Sequence, residues 1–177
     1  MKTNLEMFSE LMSRVPSTRL SDPRLIQWLI TNGFFTQVAS GRHHGNHRGG
    51  LFAHSLAVTE KLVEYTHDLN LNWQYPDSPY IVGMFHDLCK IDEYETTMIG
   101  GTLQITKIKN SDEHGEKSVR YLSRLMPLTG EEKLCIRYHM GPYMINEWNE
   151  FDHAIKKYEN VLYTHMADMW VSRIKNK

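Results

Sequence analysis

YIVGMFHDLCK, residues 80–90, is the stretch on which the reading of this chain turns. Ile81, Val82, Met84 and Phe85 make a short apolar helix that ends on His86 and Asp87, and Lys90 follows three residues after the acid. A His-Asp pair alone occurs by chance, so its meaning depends on the segments around it. Upstream, Leu51 to about His67 is helical, and the 34–50 stretch before it is rich in glycine and histidine. That stretch ends in GRHHGNHRGG, with too many glycines to hold a regular helix. Nearer the start, Leu5, Phe8 and Leu11/Met12 fall at helical spacing between Asn4 and Ser13. Asp22-Pro23 supplies an N-cap and a first-turn proline for a helix that runs through Leu25, Trp28 and Leu29 to Asn32-Gly33.

Downstream, YETTMIGGTLQITK (94–107) alternates, carries β-branched residues and places Gly100-Gly101 at its middle, which predicts a β-hairpin. Helices return over His114 to Leu125 and over Thr129 to about Met140, where Thr129 and Glu132 have capping-box spacing. Residues 141–157 are either helical or looped, and Glu159 to Ile174 is long and amphipathic. The predicted fold class is all-α, a helical bundle with a small β-hairpin insertion. It is read as one domain over 1–177, with N-terminal helices in 1–41 packing on a motif-bearing core in 42–173.

Composition narrows the function classes. Apolar residues make up 41% and charged residues 23%, which is ordinary for a globular chain. A net charge of −1 argues against a surface built wholly for polyanion binding. The two cysteines, Cys89 and Cys135, are too few for a disulfide framework, and no segment reads as a leader or as a span of about 18 apolar residues. A cytoplasmic protein with no membrane partner is therefore expected. Nothing in the sequence sets an oligomeric state. Histidine is abundant, with ten against twenty Lys plus Arg, and it is the commonest metal ligand.

The candidate metal ligands are His54, His86, Asp87, His114, His139 and Asp168. They are spread over separate predicted helices, and bundles build sites from inward-facing side chains on different helices. Neighbouring helical residues point about 100° apart, so His86 and Asp87 can flank a common centre, and an aspartate with two oxygens can bridge two ions. Imidazole and carboxylate ligands suit one or two divalent transition-metal ions (Mn, Fe, Ni, Zn or Co, with Mn or Fe favoured) better than a structural zinc. Such ions bring the pKa of bound water near 7, and phosphate-ester hydrolysis is the reaction that follows.

The pattern His54, His86-Asp87, Asp168, with Lys90 after the pair, resembles the HD-domain superfamily of metal-dependent phosphohydrolases, which are all-α. The resemblance covers about Arg42 to Arg173. It implies that His54, His86, Asp87 and Asp168 bind one ion. It also implies that His114 in DEHGEKS and His139 in RYHMGPY are the additional ligands of the two-metal members, with Asp87 bridging. HGNHRGGLFAHSL is similar to the HGxxxGGLxxHS segment of HD proteins grouped with exoribonucleases and phage-encoded hydrolases. Many two-metal relatives have two successive histidines where this chain has His139-Met140.

Asp87 and Lys90 are the expected catalytic residues. Lys90 lies one turn after Asp87 if the helix continues, within reach of a phosphoryl oxygen. His44, in the cationic glycine-rich loop, is the second expected substrate-binding residue beside Lys90. His67, His153 and His165 read as ordinary surface or packing histidines. The expected substrate is a small nucleotide or the 3′ end of a nucleic acid. The alternative from another class is a sensor or assembly module that binds a nucleotide, keeps its metal and does not turn over.

Overall fold

The computed structural model describes residues 2–41, 45–108, 114–143 and 148–175. Its helices are α1 (Asn4–Met12), α2 (Arg24–Thr31), α3 (Gly50–Asp68), α4 (Ser78–Phe85), α5 (His114–Leu122), α6 (Gly130–Arg137), α7 (Trp148–Lys157) and α8 (Asn160–Trp170). Two strands, β1 (Tyr94–Ile99) and β2 (Thr102–Lys107), pair antiparallel, with Tyr94 opposite Lys107 and Ile99 opposite Thr102. The chain is mostly helical with one small hairpin, as its periodicities predict. Gly100 and Gly101 both have positive φ (57° and 81°), which a two-residue turn of this hand requires. Among the described residues, no helix is long and apolar enough to cross a membrane.

Capping boxes open α1 and α6. Thr129 Oγ1 accepts from the amide of Glu132 at 3.1 Å and Glu132 Oε2 accepts from the amide of Thr129 at 2.8 Å, the capping box expected for α6. Asp22 Oδ1 accepts from the Arg24 amide at 2.8 Å, but α2 begins at Arg24 with Pro23 at the N-cap position, so the proline stands one residue before the first turn that the sequence predicts it to occupy. Several ends differ from expectation. α5 stops at Leu122, short of Leu125, ahead of the Met126-Pro127 step that disfavours helical backbone. α6 stops at Arg137, and the next residues turn into Gly141, which has φ +62°. The 141–157 region resolves into a 3₁₀ turn (Gly141–Tyr143) and α7, and the last helix gives way at Val171 to a π turn over Val171–Lys175.

α3 packs on α4 and α8, and α6 packs on α4, α5 and α8. Phe8, Phe34, Phe35, Phe52 and Phe85 form a contiguous aromatic cluster, with ring centroids 5.3 to 6.2 Å apart, that joins α1, α3 and the end of α4. Phe85 is wholly buried in it, which anchors the backbone just before His86.

Two glycines allow the helix approaches that matter most. A Cβ on Gly83 of α4 would lie 2.5 Å from Thr59 Cα in α3, and one on Gly115 of α5 would lie 2.1 Å from the Arg137 carbonyl oxygen at the end of α6. The first contact brings His86 beside His54, and the second brings His114 beside His139. Gly83→Ala is expected to force α4 off α3 and lower stability by roughly 1–3 kcal/mol, the usual penalty of overpacking. It is also expected to weaken metal binding, as read by denaturant unfolding and metal titration of the same sample.

Candidate metal centre

All six predicted ligands meet at one buried place. His54 comes from the second turn of α3, His86 and Asp87 from the end of α4, His114 from the first residue of α5, His139 from just past α6, and Asp168 from the last turn of α8. His54 Nε2 lies 3.2 Å from His86 Nε2, 3.1 Å from Asp168 Oδ1 and 3.4 Å from Asp87 Oδ2, and His86 Nε2 lies 3.5 Å from Asp87 Oδ2 and 3.9 Å from Asp168 Oδ1. Donors held 2.0–2.2 Å from one ion at tetrahedral or octahedral angles are themselves about 2.8–3.6 Å apart. Most of these spacings fall in that range, so the four side chains can hold an ion with little movement.

A second set gathers on the other oxygen of the same carboxylate. Asp87 Oδ1 is 2.7 Å from His114 Nε2 and 3.3 Å from His139 Nε2. Asp87 thus presents Oδ2 to one group of imidazoles and Oδ1 to another. His139 Nε2 is buried and makes no hydrogen bond, an orphaned atom of the kind a cation satisfies. The Nδ1 atoms of His86 and His139 each lie 2.7 Å from the backbone carbonyl three residues earlier, Gly83 and Ile136. A carbonyl only accepts, so each Nδ1 carries the proton and each Nε2 presents its lone pair to the centre.

The electrostatics fit a site where protons occupy ligand positions. Burial pushes the Asp87 carboxyl up, but Lys90, His86 and the close approach of the His114 and His139 rings outweigh it and hold it well below the usual carboxylate range. Burial likewise pushes Asp168 up, and His54 more than reverses that. Burial pulls His54 and His114 down, yet the carboxylates they face raise both, His114 strongly. His139 is lowered, with burial dominating, which keeps its Nε2 free of a proton. A cation held there would take over the favourable charge that His54 and His114 offer these carboxylates.

Lys90 sits differently from the expectation of a continuing helix. The α-helix stops at Phe85, Asp87 caps a 3₁₀ turn over Leu88–Asp92, and three-residue spacing in such a turn eclipses side chains. Lys90 Nζ therefore reaches Asp87 Oδ2 at 2.6 Å. Burial lowers its pKa and Asp87 raises it by more, so it is a firm cation. The Lys90, Asp168 and His114 side chains keep 13%, 10% and 9% of their exposure, which marks the edge by which solvent reaches an otherwise closed cluster. His44 lies outside the described residues.

Cys89 was legible in the sequence only as a free thiol. It lies two residues after Asp87, and its sulfur joins donor atoms of Asp87 and His114 within 4.8 Å of one another, as do the donors of His54, His86 and Asp87 and those of His86, His139 and Asp168. The free thiol is buried, and burial raises its pKa. His165 packs beside the centre: its Nδ1 donates to the His139 carbonyl at 2.8 Å, steadying the turn that carries His139. His67 and His153 are on the surface, as expected. The cluster can hold a metal ion and is compatible with an HD-like site. A scan against protein-family models finds no match, and neither do searches of the curated proteins and of the solved structures.

Proposed function

We propose that this chain is an HD-type metal-dependent phosphohydrolase, cleaving a phosphoester or phosphoanhydride of a nucleotide or of a nucleic-acid end. One observation carries the reading: the two oxygens of Asp87 face different imidazoles, Oδ2 meeting His54 and His86, with Asp168 beside His54, and Oδ1 meeting His114 and His139, the two sets adjoining at His86 and His139. Divalent ions, Mn or Fe by preference for this donor set, supply Lewis acidity and a water acidified to near neutrality. The residues of the chain do the rest. Asp87 and Asp168 balance the cationic charge, and the Nδ1 bonds of His86 and His139 hold their rings in register. Lys90, released from Asp87 once that carboxylate is engaged, is placed at the open edge to bind a phosphoryl oxygen or assist the leaving group.

The experiment is cleavage of a chromogenic phosphodiester with Mn²⁺ by the parent and by Lys90→Met. The expected result is metal-dependent release of chromophore that falls roughly 10²-fold in the variant, with metal content unchanged. A fully metallated protein that cleaves neither mono- nor diesters would instead be the non-catalytic nucleotide-binding module.

A further inference from the structure

Each histidine of the second donor set needs an acceptor for the proton on its far nitrogen. His139 uses the carbonyl of Ile136, three residues back in the last turn of α6, as His86 uses Gly83 in the last turn of α4. His114 is the first described residue of α5, and among the described residues a side chain meets its far nitrogen. What faces its Nδ1 is Glu93 Oε1, 3.3 Å away.

Glu93 is an unusual acid. It is only 1% exposed, and among the described residues the His114 ring is the cation within ion-pair reach of it. Its Oε1 makes no in-line hydrogen bond with the ring as it stands, while His114 Nε2 is drawn 2.7 Å from Asp87. Burying a carboxylate away from a partner is costly, so such a group calls for a reason. The backbone holds it in place: the Glu93 carbonyl accepts from Ile108 at 2.9 Å, at the base of the hairpin, and its amide donates to the Lys90 carbonyl at 3.3 Å.

We infer that Glu93 is the positioning residue of the second metal subsite: its carboxylate accepts the Nδ1 proton of His114 and so commits Nε2 to an ion shared with Asp87 Oδ1 and His139. A histidine binds an ion through one nitrogen, and an acceptor on the other fixes tautomer and ring orientation. Glu93 gives His114 through a side chain what a backbone carbonyl gives His86 and His139. The inference rests on the metal-binding part of the proposed function and not on hydrolysis.

The test is Zn²⁺ titration of the full chain against a competing chelator, for the parent, Glu93→Gln and Glu93→Leu, with ¹⁵N NMR of the histidine rings in the zinc-loaded samples. In Glu93→Leu the weaker of two binding events is expected to lose about 10- to 100-fold in affinity, with the tighter event unchanged. Glu93→Gln, whose amide oxygen still accepts, recovers most of the loss. The parent should show His114 protonated at Nδ1. Equal weakening of both events in Glu93→Leu, unchanged affinity there, a parent that binds no second ion, or a parent His114 unprotonated at Nδ1 would each overturn the inference. The parent spectrum decides even where the leucine variant does not fold. Two zinc ions bound as described, with no phosphoester cleaved under any metal, would refute the hydrolase reading and leave Glu93's role standing.

Discussion

Asp87→Asn is expected to abolish metal-stimulated phosphoester cleavage, by at least ~10³-fold, equivalent to about 4 kcal/mol of transition-state stabilisation. Asp87 meets five side chains of the centre. Its Oδ2 contacts Lys90 at 2.6 Å, His54 at 3.4 Å and His86 at 3.5 Å, and its Oδ1 contacts His114 at 2.7 Å and His139 at 3.3 Å. An amide keeps the shape but offers one oxygen in place of two and carries no charge, so it cannot serve both donor sets. Metal analysis of the purified variant should therefore show loss of ions along with loss of turnover. Retention of both in Asp87→Asn would contradict the bridging assignment.

The same variant has a signature without metal. The Asp87 carboxyl is held below its ordinary value of 3.8, so its contribution to stability is present above that pH and lost as pH falls through the lower folded value. His54 and His114 are raised above 6.5, so their contribution is full below 6.5 and lost as pH rises through their folded values. Metal-free parent should be most stable between these limits. Asp87→Asn leaves Lys90 buried without its carboxylate and is expected to lose roughly 3 kcal/mol there, flattening the profile measured by urea unfolding in the presence of a chelator.

Arg19→Ala is expected to be the most destabilising change remote from the centre, at about 3–5 kcal/mol, the loss seen when one partner of a buried ion pair is removed. Arg19 retains 12% of its side-chain exposure and joins two carboxylates that are almost wholly buried, donating to Asp77 Oδ2 at 2.7 Å and to both oxygens of Glu132 at 2.7 and 2.8 Å. Glu132 also closes the α6 capping box and accepts from the Ser78 hydroxyl at 2.7 Å, at the start of α4. One guanidinium thus ties the segment after α1 to the origins of the helices that carry His86 and lead to His139. Without it, two buried acids lose the cation they share, and among the described residues no other Lys or Arg is paired with either. Thermal melting should fall by about 10 °C in a chain of this length, and Glu132→Gln added to Arg19→Ala should restore part of the loss by removing one uncompensated charge.

Local sequence determined most of the elements. Helical spacing of apolar residues located the helices, the alternation around Gly100-Gly101 located the hairpin, and Thr129 with Glu132 marked the start of α6, because periodicity, turn chemistry and caps act over a few residues. The six ligands were readable because imidazole and carboxylate are rare inside a core and their order along the chain is specific. What no local pattern contains is how distant segments approach. That His54 and His86 face each other depends on Gly83 lying against Thr59, and that His114 faces His139 depends on Gly115 lying against Arg137. The end of α4 at Phe85, which turns Lys90 onto Asp87, and the burial of Glu93 behind His114 are likewise products of packing. Sequence by itself determined which side chains are equipped to bind a cation. Tertiary structure alone decided which oxygen each meets and which acid orients them, since those contacts span tens of residues and are set by how closely the helices pack.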